Sequence, residues 1–207
     1  MADRRIERGN QTRQLVLRRA VDLASVEGLE GLSLGRLASE LELSKSGVFA
    51  LFGSKEDLQL ATIGAATKIF AEHVIEPARD TSSGLDRLWR TCTGWLTYSR
   101  DRVFPGGCFF YAASAEFDAR TGKVHDALVA ARADWLDHLE RTAREAQQAG
   151  EIRPDADLSQ LVFELAAFLE MANAESVLRD EFSCYDKASR AVLNRLRGVA
   201  ADPSALS

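Results

Sequence analysis

The chain has few cysteines, and they are poorly placed for crosslinking. Cys92, Cys108 and Cys184 form an odd and scattered set in 207 residues. There is no C-x-x-C pair, so neither a disulfide framework nor a thiol-based metal site is expected. His73, His125 and His138 have no close ligand spacing with one another or with the cysteines, so no metal or cofactor is expected. No apolar run is long enough to span a bilayer. The opening Met-Ala-Asp-Arg-Arg has no apolar stretch behind it and does not read as a secretory signal. These absences predict a cytoplasmic protein with no membrane partner. β-Strand signals, internal repeats and low-complexity tracts are also missing. What remains is helical periodicity almost throughout, and this predicts an all-α fold.

The net charge of −5 argues at first against a polyanionic partner, but the charge is unevenly spread. Arg4, Arg5, Arg8, Arg13, Arg18 and Arg19 stand against only Asp3 and Glu7 in the first twenty residues. From Gln59 onward, 17 basic residues face 22 acidic ones. The acidic excess therefore lies outside the N-terminal segment. Arg4 to Arg8 read either as a solvated tail or as an arm that contacts phosphates.

The most informative stretch runs from Leu32 to Leu58. Ser33 is an N-cap ahead of Leu34 and Leu37. Ala38 is small enough for a second helix to cross close to it. Leu41-Glu42-Leu43 makes a turn, and Ser44 caps a second short helix. The first turn of that helix offers Lys45, Ser46 and Gly47 outward, while Val48, Leu51 and Phe52 form its apolar face. Ser54-Lys-Glu-Asp57 has capping-box spacing and opens a third helix. This is helix-turn-helix geometry, in which the start of the second helix reaches base edges in the major groove. Lys45 and Ser46 are placed for bases, with Lys45 equally able to hold a phosphate. Gly47 permits close approach to the groove, and Phe49 would rest on the sugar-phosphate wall. Ser33, Ser44 and Lys55 stand at helix starts, where amides and positive charge favour a phosphate. For the serines, plain capping is the simpler role, and the two roles can coexist.

On Val26-Glu27-Gly28, Leu32-Ser33, Leu37-Ala38, Ser44-Lys45-Ser46-Gly47 and Phe52-Gly53-Ser54-Lys55-Glu56-Asp57-Leu58, the chain resembles the TetR family of bacterial transcriptional regulators. The resemblance covers roughly residues 12–58. Many members have Gly where Glu42 stands; a left-handed Glu42 would be strained by about 1–2 kcal/mol. Many also place Tyr, often with a nearby His, around positions 49–51, where this chain has Phe49, Ala50 and Leu51. The resemblance implies a helix-turn-helix DNA-binding domain over 1–55 and a helical regulatory and dimerisation domain over 56–207.

Helices are expected over about 12–27, from Ser54 to about Ile75 with Pro77 as the stop, over Leu85–Asp101, Val124–Ala149 and Leu158–Leu178, and from Tyr185 to Val199. The tail from Asp202 is expected to fray. The middle of the chain is rich in aromatics. The resemblance implies that this region encloses an effector cavity, and Trp95, Tyr98, Phe109, Trp135 and His138 are the candidate lining residues. The same aromatics could instead fill a core. Leu158–Leu178 is apolar nearly all round and needs cover nearly all round. A partner subunit is the expected cover on one side, with Leu161, Leu165, Phe168, Met171, Ala188 and Val192 as candidate homodimer contacts. The alternative is the central core helix of a monomer. Taken together, these features predict a ligand-responsive repressor that leaves a palindromic, double-stranded operator when a small lipophilic effector binds. Two other readings are a helical enzyme with Cys108 as nucleophile, which lacks an obvious histidine partner, and a DNA-binding protein without a ligand.

Overall fold

The computed structural model describes residues 2–206, without the side chains of residues 2–6 and 8. Arg4, Arg5 and Arg8, the candidate arm, therefore lie outside the described side chains. Among the described residues the chain forms nine α-helices and no sheet: α1 (Ala2–Glu27), α2 (Leu34–Glu40), α3 (Lys45–Phe52), α4 (Lys55–Phe70), α5 (Gly84–Arg100), α6 (Phe109–Phe117), α7 (Lys123–Gln148), α8 (Leu158–Arg179) and α9 (Ser183–Val199). An isolated antiparallel bridge joins Ile152 and Ala200.

Three boundaries differ from expectation. α1 begins about ten residues early: the polar stretch before Thr12 lacks apolar periodicity, but it contains no proline and its single glycine, Gly9, is tolerated. α4 ends at Phe70; a π-turn over Ala71–Ile75 and a 3-10 turn over Glu76–Ala78 follow. Pro77 thus sits inside the terminal turn, where its missing N–H is tolerated. The tail from Asp202 is docked, not frayed. Asp202 caps a 3-10 turn over Pro203–Ala205, and Arg197 donates through Nε (3.1 Å) and Nη2 (2.7 Å) to the carbonyl of Leu206, which is buried.

The chain divides into two compact units. The first contains residues 1–69 and 104–130. Its core joins Val16, Ala20, Val21 and Ala24 of α1 with Leu37, Ala38, Val48 and Phe52 of the helix-turn-helix, and it includes Phe104, Phe109 and Phe117. Ala38 has no exposed surface, as expected for the residue at a close helix crossing. The second unit contains residues 70–103 and 131–207. There Leu88, Cys92, Trp95 and Leu96 of α5 are buried, as are Leu161, Leu165 and Leu169 of α8 and Val192 and Leu196 of α9.

Candidate nucleic-acid interface and effector cavities

The helix-turn-helix is built from local hydrogen bonds. Ser33 Oγ accepts the Arg36 amide at 3.1 Å and Ser44 Oγ accepts the Gly47 amide at 3.1 Å. Glu42 makes the turn in the left-handed region, at φ 55°. Ser54 Oγ accepts the Asp57 amide at 3.0 Å and donates to Asp57 Oδ2 at 2.6 Å. The Asp57 carboxylate thus reaches the Ser54 hydroxyl and not the Ser54 amide, which donates to the Phe52 carbonyl.

The caps fix which side of α3 faces out. Lys45, Ser46, Gly47 and Phe49 are exposed, Phe49 at 56%, while Val48 and Phe52 are buried. A Cβ at Gly47 would lie 2.8 Å from Ser44 Oγ, so any larger residue there crowds the cap. Position 47 is therefore restricted by the helix start itself, apart from any contact to DNA.

Charge pairing separates the neighbouring cations. Arg36 donates to Glu27 and, through Nε at 2.8 Å, to Glu40, which also accepts Arg19 Nε at 2.7 Å. Hydrogen bonding to Arg36 holds both carboxyls below their ordinary range. Lys55 Nζ donates to the Glu30 carbonyl at 2.7 Å and to Glu30 Oε2 at 2.8 Å. These two bonds leave Lys55 one donor for a phosphate. Lys45 makes no ion pair among the described residues and stands on the exposed start of α3.

Four of the five expected effector contacts form a row in the second unit. The Trp95 and Tyr98 rings lie 6.2 Å apart and both are buried. Phe70 meets Tyr98 edge-on at 5.5 Å and Trp135 at 5.2 Å, and Trp135 stacks on His138 at 6.2 Å. Phe70, the link in this row, was not among the expected residues. Phe109 belongs to the first unit, where it packs on Phe104 at 5.9 Å and Phe110 at 5.3 Å. A cavity of about 410 Å³ opens beside Tyr98, with His73, Pro77, Arg90, Thr93 and Asp101 in its wall. A second, of about 260 Å³, has His138 in its wall together with Arg79, Arg87, Thr91, Arg141 and Glu145.

α8 resolves the ambiguity of its two apolar faces. Leu161 and Leu165 have no exposed surface, and neither does Val192 of α9; Ala188 is also buried within the chain's own packing. Leu161, Leu165 and Val192 supply no outward surface. Phe168 is half-buried and Met171 is 61% exposed, beside Phe163 at 69%. Of the expected contacts, Phe168, Met171 and Ala188 line one surface groove.

All three cysteines are buried, and burial pushes the Cys92 thiol up to about 12. Cys108 precedes α6 with 4% exposure, unlike an accessible nucleophile. Among the described residues no group of three His, Cys, Asp or Glu side chains is placed to hold a metal ion. No helix among them is long and apolar enough to cross a membrane.

Residues 16–62 match the family model described as bacterial regulatory proteins, tetR family. Residues 84–192 match a model described as tetracyclin repressor-like, C-terminal domain. No curated protein sequence matches. Among solved structures, a TetR transcriptional regulator from Chloroflexus aurantiacus superposes with a TM-score of 0.87 at 21% identity, covering 94% of this chain and 98% of that one. A putative regulator from Saccharomonospora viridis, solved in complex with choline, gives 0.79 at 18% identity, covering 92% and 98%. AibR, solved with isovaleryl coenzyme A and operator DNA, gives 0.68 at 20% identity, covering 86% and 95%. At these identities the likeness is one of fold.

Proposed function

Because this chain belongs to the TetR family of bacterial transcriptional regulators, we propose that it is a homodimeric, ligand-responsive repressor. Its dimer binds a palindromic operator through paired α3 helices and leaves it when a small lipophilic molecule binds the second unit. The exposed start of α3 carries this reading. Lys45 and Ser46 stand outward on a helix whose other face, Val48 and Phe52, is locked in the core. Two such helices one DNA turn apart fit a two-fold operator. Tyr98, in the row from Trp95 through Phe70 to Trp135, lines the 410 Å³ cavity and offers it an aromatic wall. The structural relatives solved with choline and with isovaleryl coenzyme A support a small-molecule effector in this fold. An effector acts only through its different affinities for the DNA-competent and the released state. The burial of Cys108 weighs against the enzyme reading.

The test is a gel-shift titration of the intergenic DNA beside the protein's own gene, with and without cell-derived small molecules. Lys45→Ala serves as the site control. Binding that the small molecules weaken, and that Lys45→Ala weakens at every salt concentration, is expected. A base contact predicts a loss of about 1–3 kcal/mol with relaxed specificity at one position, and a phosphate contact predicts a shallower salt slope. Wild-type affinity in Lys45→Ala at all salts would remove α3 from the interface.

A further inference from the structure

Four threonines inside helices of this chain share one way of satisfying their hydroxyls. Thr62, Thr67, Thr93 and Thr142 each donate to the carbonyl four residues back, at 2.7–3.0 Å. Thr91 departs from this pattern. It is 1% exposed on α5, and its Oγ1 has no hydrogen-bond partner. A buried hydroxyl without a partner is unfavourable and calls for an explanation. Thr91 lies in the wall of the 260 Å³ cavity between the 75–79 segment, α5 and α7.

The charged part of that wall is mainly basic. Arg79, Arg87 and Arg141 line it with His138, and Glu145 is the one carboxylate among the lining residues. Arg87 is anchored by Nε to the Thr81 carbonyl at 3.2 Å and turns Nη1 to Glu145 Oε2 at 2.8 Å. Arg141 Nη2 lies 3.4 Å from His138 Nδ1. After burial, Arg141 and Arg87 are the next causes that hold His138 below its ordinary range, and Glu145 only opposes them.

We infer that this cavity binds the carboxylate of a small organic acid, held by Arg87 and Arg141, and that Thr91, whose hydroxyl is covered in the wall, turns that hydroxyl to the ligand. A carboxylate matches the planar guanidinium fork, and Glu145 already places such a group against Arg87. Glu145 is then the internal competitor that the ligand displaces. The volume is below the ~300–1,000 Å³ of pockets for drug-sized ligands, so the acid is small. The inference concerns the second unit alone and holds whether or not the chain is a repressor.

The test uses the full-length protein without DNA, in a zwitterionic buffer free of carboxylate and phosphate. Butyrate and benzoate are titrated while the His138 imidazole signals are followed by NMR, assigned by their loss in His138→Gln. Saturable shifts are expected with both acids and not with butyramide or benzamide. Arg141→Gln, a change at an exposed side chain, should weaken benzoate at least tenfold, and Thr91→Val should weaken it several-fold. Glu145→Gln should tighten it, which a merely structural glutamate would not do. Equal binding of benzamide, unchanged affinity in Arg141→Gln, or weaker binding in Glu145→Gln would overturn the site. Inorganic phosphate that saturates His138 while both acids fail would overturn the ligand class.

Discussion

Glu116 of α6 accepts the backbone amide of Leu29 at 2.7 Å, just beyond the end of α1. Its second oxygen accepts the Glu30 amide at 2.9 Å. One carboxylate thus closes the turn that leads into the helix-turn-helix. Gly28 sits at φ 83°, and a Cβ there would lie 2.7 Å from Glu116 Oε2. Glu116→Ala removes two charge-assisted bonds and leaves the amide of a buried leucine without its acceptor, so a loss of about 1–3 kcal/mol is expected. Glu116→Gln keeps one acceptor oxygen and should recover part of it. Urea denaturation of the three proteins checks the order. Equal midpoints would show that solvent replaces the carboxylate at no cost.

Glu42 holds a left-handed turn without being glycine. Glu42→Gly relieves backbone strain but gives the unfolded chain more freedom. The two effects oppose each other, and strain relief of about 1–2 kcal/mol exceeds the entropy difference of roughly 0.4–1 kcal/mol. The melting temperature should stay level or rise slightly. A clear fall would assign Glu42 a stabilising contact that outweighs its strain.

Met171 faces out of α8 and Leu161 faces in. If a second copy covers the outer face, Met171→Glu should dissociate the dimer and leave a folded chain. Leu161→Glu should instead unfold it, because a charge would enter the core. Sedimentation velocity with circular dichroism separates the two outcomes. A wild-type monomer at micromolar concentration would defeat the homodimer outright.

The difference between these two residues of α8 shows where sequence pattern stops being informative. Ser33, Ser44, Ser54 and the turn at Glu42 were readable because a cap and its amide lie within a few residues of each other. A helix apolar on both faces does not reveal which face its own chain covers. Tertiary polar clusters are harder still. The Tyr185 hydroxyl lies 2.8 Å from Ser99 Oγ, 2.7 Å from Ser176 Oγ and 3.0 Å from Arg102 Nη1. Those four residues come from α5, the segment after it, α8 and α9, and no spacing in the chain announces their meeting. The basic cavity is of the same kind. Of its wall, only His138 is among the candidate lining residues that the sequence offers. Thr91 was hidden because its distinguishing feature is a missing local bond, which appears only in three dimensions.

His138 makes stability depend on pH, with a definite sign. Burial first, then Arg141 and Arg87, hold its folded-state pKa below the ordinary value, against the opposing pull of Glu145. Just below ~6.5 the unfolded chain takes up a proton at this position and the folded chain does not. Stability rises with pH wherever the unfolded state binds more protons. The contribution is therefore fully present above ~6.5 and is lost as pH falls from there toward the lowered folded value. Wild type should lose more melting temperature than His138→Gln between about pH 7.5 and 5.5, a window set by the ordinary histidine value. The difference between the two proteins isolates this residue from the other titrating groups. Added benzoate should shrink that difference, because an anion beside the ring raises the folded-state pKa. Parallel curves for the two proteins would show that the positive field of Arg87 and Arg141 does not reach the imidazole. A difference that benzoate leaves unchanged would show that the acid binds elsewhere.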